Sequence, residues 1–151
     1  MALQPVILIV DDDPNDVLFL KRAFGRIGVR QEIRAVHDGM EAISYLEGSG
    51  PYVDRDAHPL PCLLLLDIKM PRMNGFELLR WLRGQKDFKD LPVCMITSSD
   101  DLGDREEAGR HGIEVYCVKP VAFADLLRMA ERIRREAEQH CGKPTVPKGT
   151  A

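Results

Sequence analysis

The chain has 151 residues, enough for one domain with a buried core, and its 44% hydrophobic and 30% charged content is typical of a globular protein. Its net charge of −3 excludes the basic surface that nucleic-acid binding needs, and no apolar run reaches the roughly 20 residues that cross a bilayer. The N-terminus lacks the cationic stretch and cleavage site of a signal peptide, which predicts a cytoplasmic protein.

The first predicted strand, residues 6–10, is apolar throughout and is followed by three aspartates. A helix is predicted to begin at Pro14, because proline suits the first helical position and Asp13 can cap it. Apolar residues at helical spacing continue to Gly28, which is predicted to end the helix. A second strand follows, and then a second helix that Asp38 can cap.

A long loop, residues 48–61, leads to the third predicted strand, and loops of this length are often functional. The strand itself, residues 62–66, has only apolar residues, which indicates a strand covered on both faces, as in a parallel sheet. A third helix is predicted over residues 76–83 and a fourth strand over residues 93–96.

The rest of the chain contains one weak and one strong predicted helix. The weak helix, residues 102–110, has two glycines and few apolar residues, so we expect it to be loosely anchored. A fifth strand, residues 113–118, precedes the strong helix. The apolar stripe of that helix consists of Phe123, Leu126, Leu127, Ala130, Ile133 and Ala137. We assign residues 1–140 to one domain and residues 141–151 to a flexible tail.

Strand and helix alternate five times along the chain. This alternation predicts an α/β fold with a doubly wound, five-stranded parallel sheet and helices on both of its faces. Ligands of such sheets bind outside the carboxyl ends of the strands. The residues that follow the strands are therefore the candidates for function.

Polar residues follow four of the five predicted strands, namely Asp11 and Asp12, then Asp67, Thr97 and Lys119. Because parallel strands end at one edge, we expect these side chains to converge. Packed carboxylates repel one another unless a cation joins them, and Mg²⁺ is bound by carboxylate, water and phosphate oxygens. Lys119 would add positive charge for a phosphoryl group.

Four segments of the sequence resemble response-regulator receiver domains of two-component signalling, in both their order and their spacing. The segments are ILIVDD at 7–12, LLLLDIKMPRMNG at 63–75, PVCMITS at 92–98 and VKP at 118–120. The resemblance implies the flavodoxin-like (βα)5 receiver fold. It also implies a phosphoryl group taken, with Mg²⁺ as cofactor, from a histidine kinase or a phosphotransfer protein.

The resemblance also implies roles for individual residues around this cation. Asp67 matches the phospho-acceptor, Asp12 a direct metal ligand, and Asp11 the carboxylate that holds a metal-bound water. The backbone carbonyl of Lys69 matches the third protein ligand of Mg²⁺.

Other positions match residues that respond to the phosphoryl group. Thr97 matches the hydroxyl that hydrogen-bonds a phosphoryl oxygen, and Lys119 matches the lysine that pairs with it. The Lys119–Pro120 bond is expected to be cis. Tyr116 matches an aromatic residue whose ring changes position with phosphorylation, so Thr97 and Tyr116 are the predicted switch residues.

No output domain is expected after the last helix, which predicts a single-domain signalling protein that acts by docking and is not an enzyme. The loop at 48–61 and the segment at 96–99 resemble regulators that partner phytochrome-type histidine kinases.

Complementary charges on the fourth and fifth helices predict a homodimer through the fourth helix, the fifth strand and the fifth helix. These charges are Asp104, Glu106, Glu107, Arg128, Arg132 and Arg135.

Two alternative functions compete with this interpretation. The pair Asp11-x-Asp13 after an apolar strand also resembles haloacid-dehalogenase-type phosphatases, whose nucleophile would be Asp11. Asn15 stands where that pattern has Thr or Val, and Asp67 would have no role. A calcium loop beginning at Asp11 would need glycine where Asp16 stands. The second alternative is a binding module of the same fold that is never phosphorylated.

The four cysteines form no C-x-x-C pair, which argues against a zinc site. Three of them, Cys62, Cys94 and Cys117, lie in apolar runs, and we predict that they act as small buried hydrophobic residues.

Overall fold

The computed structural model describes residues 5–98, 101–113 and 115–141; the predicted tail beyond Cys141 lies outside them. Strands and helices alternate along this part of the chain. In order they are β1 (Val6–Val10), α1 (Pro14–Ile27), β2 (Glu32–Val36), α2 (Gly39–Glu47), β3 (Pro61–Leu66), α3 (Gly75–Gly84), β4 (Val93–Thr97), α4 (Leu102–Arg110), β5 (Val115–Val118) and α5 (Phe123–His140).

The five strands form one parallel sheet in the order β2-β1-β3-β4-β5. The predicted doubly wound α/β fold is therefore confirmed. The strand order changes direction between β1 and β3, which places a crevice at the carboxyl ends of these two strands.

Two apolar layers pack on the two faces of the sheet. Side chains of β1 alternate between them: Ile7 and Ile9 pack with residues of α1 and α5, whereas Leu8 and Val10 pack with residues of α2, α3 and α4. This alternation is the period-two geometry of a strand, and both layers exclude water. None of the described helices has the length and apolar character that crossing a membrane would require.

The helix ends follow the chemistry that the sequence predicted. The Asp13 side chain accepts a hydrogen bond from the Asn15 backbone at 2.9 Å, and Pro14 begins α1. Gly28 ends α1 with a φ of 76°, a left-handed conformation that glycine adopts at little cost. Asp38 caps α2, and its side chain accepts a hydrogen bond from the Glu41 backbone at 2.8 Å.

The loop between α2 and β3 is ordered and contains a 3-10 helix at Gly50–Tyr52. The Arg55 guanidinium donates to the backbone carbonyls of Tyr45 at 2.6 Å and His58 at 3.2 Å, and it also donates to that of Leu46. The Tyr45 hydroxyl donates to the Pro59 carbonyl at 2.8 Å. Because the loop leads into the start of β3, it lies at the amino edge of the sheet.

A disulfide joins Cys62, near the start of β3, to Cys141, directly after α5, with Cα atoms 5.1 Å apart. The prediction that Cys62 acts as a buried hydrophobic thiol is therefore wrong. The two residues are 79 positions apart, and only the packing of α5 along the sheet brings them together. Cys94 and Cys117 are buried, as predicted.

The predicted cis bond before Pro120 is also wrong, because the described residues contain no cis peptide bond. A trans bond before proline is intrinsically favoured by about 0.5–1 kcal/mol. In this arrangement the Lys119 backbone N–H donates to the Thr97 carbonyl at 2.7 Å, which extends the pairing of β4 and β5 past the end of β5.

Candidate functional site

The sheet brings the ends of β1 and β3 side by side at its carboxyl edge. The Asp67 backbone N–H donates to the Val10 carbonyl at 3.0 Å, and the Asp11 N–H donates to the Val36 carbonyl at 3.2 Å. These bonds continue the strand pairing by one residue, so they fix the backbone from which both carboxylates project. Asp11 and Asp67 are only 2% and 4% exposed.

Three carboxylates form an acidic cluster at this edge, consisting of Asp11, Asp12 and Asp67. One carboxylate oxygen from each lies within 4.8 Å of the other two. Asp11 and Asp67 are buried, whereas Asp12 is exposed. Oxygen ligands at this separation suit a hard divalent cation such as Mg²⁺, and the exposed side of the cluster leaves room for the water that Mg²⁺ retains.

The electrostatics of the acidic cluster favour a cation. Burial raises the pKa of Asp11 to about 6, and hydrogen bonds from the Asp13 backbone and Lys119 only partly oppose this effect. The nearby charge of Asp67 raises the pKa of Asp11 further. A divalent cation would remove this repulsion between carboxylates, so the donor set fits the metal that the sequence implies.

Lys119 contributes the positive charge at the site. Its Nζ lies 2.7 Å from an Asp16 oxygen, 2.9 Å from Asp11 and 3.1 Å from Asp67. Burial alone would lower the pKa of Lys119, but hydrogen bonds to Asp16 and Asp11 raise it above its ordinary value. The side chain is therefore a fixed ammonium beside the Asp67 carboxylate.

Asp16 was not predicted as a site residue. It lies in the first turn of α1, and its side chain reaches over the edge of the sheet to Lys119. The sequence indication would have been an acid in the turn directly after the aspartates that follow β1. Gly75, the last residue of the segment at 63–75, also lies against the site. Any Cβ atom at Gly75 would overlap the Asp67 backbone carbonyl, so glycine allows α3 to begin against the site.

Two other predicted site residues, Thr97 and Lys69, differ in their burial. Thr97 is fully buried at the end of β4, next to Lys119 in the sheet. Lys69 is exposed, and its backbone N–H donates to Asp67 Oδ1 at 3.2 Å. The role of the Lys69 carbonyl as a metal ligand stays a prediction.

Tyr116 is half-buried on β5 and lies under α4. The Arg105 guanidinium carbon is 4.6 Å from the centre of its ring. Within α4, Ala108 is the buried residue, and Leu102 is 70% exposed. As predicted, α4 has a small apolar anchor, and Tyr116 forms part of the surface on which it rests.

A parallel five-stranded sheet with an acidic cluster and a lysine at its carboxyl edge defines a recognisable class of signalling domain. A family model for the response regulator receiver domain matches residues 7–131. The chain therefore belongs to the response regulator receiver domain family of two-component systems.

Curated proteins of the family match most of the chain. The chain is 32% identical over 132 residues to the probable methanogenesis regulatory protein FilR2 of Methanothrix harundinacea, covering 85% of this chain and 81% of that protein. It is 37% identical over 130 residues to the response regulator MprA of Mycobacterium tuberculosis, covering 85% of this chain. The match spans 50% of MprA, so the chain corresponds to about half of that relative.

Solved structures match the chain over nearly its whole length. RPA3017, a response regulator in red light signaling of R. palustris, has a TM-score of 0.80 at 30% identity, covering 95% of this chain and 99% of that one. The phosphorylated cyanobacterial phytochrome response regulator RcpA has a TM-score of 0.79 at 26% identity, covering 96% and 99%. The Mn²⁺-bound form of response regulator Rcp1 has a TM-score of 0.77 at 27% identity, covering 95% and 99%.

Proposed function

We propose that this chain is a response-regulator receiver module that accepts a phosphoryl group from a histidine kinase, or from a phosphotransfer protein, onto Asp67. The reaction depends on Mg²⁺. The observation that carries the proposal is the position of Asp67, buried within the acidic cluster and 3.1 Å from the Lys119 ammonium. This is the placement that a carboxylate nucleophile in a receiver domain needs.

The chemistry follows from these groups. An Asp67 carboxylate oxygen attacks phosphorus and forms the new P–O bond while the P–N bond of a donor phosphohistidine breaks. The donor imidazole leaves with the electron pair of that bond and takes up a proton from water. Mg²⁺ held by Asp11, Asp12, Asp67 and the Lys69 carbonyl would neutralise charge on the phosphoryl oxygens. Lys119, 3.1 Å from Asp67, supplies further positive charge.

The output of this reaction is a change in α4 rather than the turnover of a substrate, so we propose no enzymatic activity. Thr97 is the last residue of β4 and Lys119 follows β5, and these two strands lie on either side of α4 in the chain. A phosphoryl group that draws both residues toward Asp67 would shift the ends of these strands. With Ala108 as its buried anchor, α4 is the element that can respond, and Tyr116 lies directly beneath it.

An exposed apolar surface of this chain lies next to Lys119 and could bind the phosphodonor protein. Exposed Phe19 on α1 and exposed Val121 and Phe123 after β5 border a cleft of about 220 Å³ that Asp16 and Lys119 also line. We propose that the donor protein docks on this surface, because exposed apolar patches commonly mark protein interfaces. The likeness to RcpA and RPA3017 supports a phytochrome-type histidine kinase as the donor.

We also propose a homodimer through α4, β5 and α5, as the charge pattern predicts. Arg128 and Arg132 are exposed on α5, and Glu106 is exposed on α4. Some of these charges have partners within the chain, since Arg128 pairs with Asp125 and Glu107 with Arg80. Exposed charges at such a face make a modest contribution, of the kind that orients partners more than it holds them.

The proposed location is the cytoplasm. The Cys62–Cys141 disulfide opposes this location, because disulfides are rare in reducing compartments. A cytoplasmic protein must therefore keep its fold when this bond is reduced, an expectation that can be tested by thermal unfolding.

The test of the phosphorylation proposal is labelling by acetyl phosphate with Mg²⁺, followed by mass mapping of the acyl phosphate. We expect the label on Asp67 and none when Mg²⁺ is chelated. A label on Asp11 would support the phosphatase alternative instead. An unlabelled protein that still binds Mg²⁺ would support the binding-module alternative.

A further inference from the structure

The hydrogen bonds of Lys119 include one that the proposed reaction does not explain. Its Nζ is closer to Asp16 than to the two cluster carboxylates, at 2.7 Å against 2.9 Å for Asp11 and 3.1 Å for Asp67. An ammonium has three N–H donors, and here each has a carboxylate acceptor. Asp16 is not a member of the acidic cluster. Of the three carboxylates that accept from Lys119, it is therefore the one that a metal bound in the cluster would not use as a ligand.

A cation at the acidic cluster changes the balance among these three bonds. Oxygens of Asp11 and Asp67 that contact a dication are weaker acceptors for Lys119, and the dication itself repels the ammonium. The Asp16 carboxylate is still available to accept a hydrogen bond from Lys119. The Asp16 contact is therefore the interaction that can keep Lys119 beside Asp67 at the stage of the reaction when the phosphoryl group arrives.

The surroundings of Asp16 suit it to hold another residue in place. Asp16 belongs to the first turn of α1, whose start is set by Asp13 and Pro14. The next turn is anchored in the core through buried Val17 and Leu20. The side chains of Asp16 and Lys119 are only 34% and 17% exposed, so water screens their contact less than it screens a surface ion pair.

We propose that Asp16 is a positioning residue that holds the Lys119 ammonium beside Asp67 while a cation occupies the acidic cluster. The proposal rests on the proposed phosphorylation of Asp67 and adds a residue to it. Asp16 has no contact with the reacting atoms in this account; it acts through Lys119.

The test compares Asp16→Asn, which removes the charge at constant size, with Asp16→Glu, which restores a charge. Asp13→Asn is the matched control, because it removes an acid from the same helix start, asparagine can still cap α1, and Asp13 makes no bond to Lys119. The first measurement is the ¹H–¹⁵N NMR signal of the Lys119 ammonium, which is visible when hydrogen bonds slow its exchange with water. The second is the initial rate of labelling by acetyl phosphate at saturating Mg²⁺.

In wild type and Asp13→Asn, the Lys119 ammonium signal should persist with and without Mg²⁺. In Asp16→Asn it should persist without Mg²⁺, when Asp11 and Asp67 still hold the ammonium, and disappear when Mg²⁺ is added. Labelling of Asp16→Asn should be about 10-fold slower than wild type, because a misplaced charge stabilises the transition state poorly, and Asp16→Glu should recover part of the rate.

A persistent ammonium signal in Mg²⁺-bound Asp16→Asn would overturn the proposal, and so would an unchanged labelling rate. The phosphorylation of Asp67 would stand in both cases, provided that wild type is labelled and Asp67→Asn is not. If wild type takes no label, the proposed function fails, and the NMR comparison still decides whether Asp16 positions Lys119.

Discussion

The two edges of the sheet are held together in different ways. At the amino edge, the Cys62–Cys141 disulfide ties β3 to the end of α5, and Arg55 joins three backbone carbonyls around the long loop. At the carboxyl edge, carboxylates of like charge are packed together, and Lys119 pairs with Asp11 and Asp67 among them. The amino edge is stabilised by bonds that do not depend on ligands, whereas the carboxyl edge gathers like charges that a bound cation would neutralise.

This difference is physically reasonable for a switch. Clustered carboxylates lower the stability of the folded protein, and a bound cation would restore it. The adjacent helix α4 can then move at small cost, because Ala108 is its buried anchor. If the amino edge stays fixed, such movement would be confined to the end of the molecule where the phosphoryl group is expected.

The largest effect is expected from Asp67→Asn at the carboxyl edge. Labelling by acetyl phosphate should fall to background, because the amide has lost the nucleophilic oxygen while keeping the size of the side chain. Without Mg²⁺ the free energy of unfolding should stay equal or rise by about 1 kcal/mol, since one repelling charge is gone. Labelling of Asp67→Asn at the wild-type rate would disprove the assignment of Asp67 as the phospho-acceptor. Circular dichroism checks that the fold of the variant is intact.

The next largest effect should come from breaking the amino edge. Reduction of the disulfide should lower the melting temperature by about 5–15 °C, because closing a long loop stabilises by about 2–4 kcal/mol. The double variant Cys62→Ser with Cys141→Ser should melt at the temperature of the reduced wild type. Reductant should leave the double variant unchanged, which serves as the control. A reduced protein with wild-type stability would show that the bond contributes nothing.

Mg²⁺ binding should strengthen the carboxyl edge by a smaller amount. At a Mg²⁺ concentration of ten times Kd, stabilisation is about 1.4 kcal/mol, which corresponds to roughly 3–6 °C in melting temperature. Asp12→Ala should abolish the shift, because Asp12 is the exposed member of the acidic cluster and the predicted direct ligand. The matched control is Asp13→Asn, which should keep the shift. Equal shifts in wild type and Asp12→Ala would contradict the metal assignment.

The smallest effect is expected at the proposed dimer face. Arg128→Glu with Arg132→Glu should weaken a dimer formed with beryllium fluoride as a phosphoryl mimic, by about 1 kcal/mol or less, because exposed charges contribute little. Light scattering after gel filtration gives the mass. Arg22→Glu with Arg26→Glu, a reversal of two exposed charges on α1, should leave that mass unchanged. A monomer under all conditions would remove the dimer proposal alone.

Much of the fold could be predicted from local patterns in the sequence. The cap at Asp13, the left-handed Gly28 and the five-residue apolar run before Asp67 each depend on neighbours a few positions away. Helix and strand periodicity then specified the alternation of elements, and alternation of this kind restricts the topology to a parallel sheet. The predicted meeting of Asp11, Asp12, Asp67 and Lys119 followed from that topology, since parallel strands end at one edge.

The tertiary structure alone decided the contacts between residues far apart in the chain. Cys62 and Cys141 look like unrelated thiols until α5 packs back along the sheet. Asp16 and Lys119 are 103 positions apart, and their ion pair depends on how α1 lies over the end of β5. Local sequence determines which elements form and which side chains they present. The distances between those side chains depend on how the elements pack, and packing is a property of the whole chain.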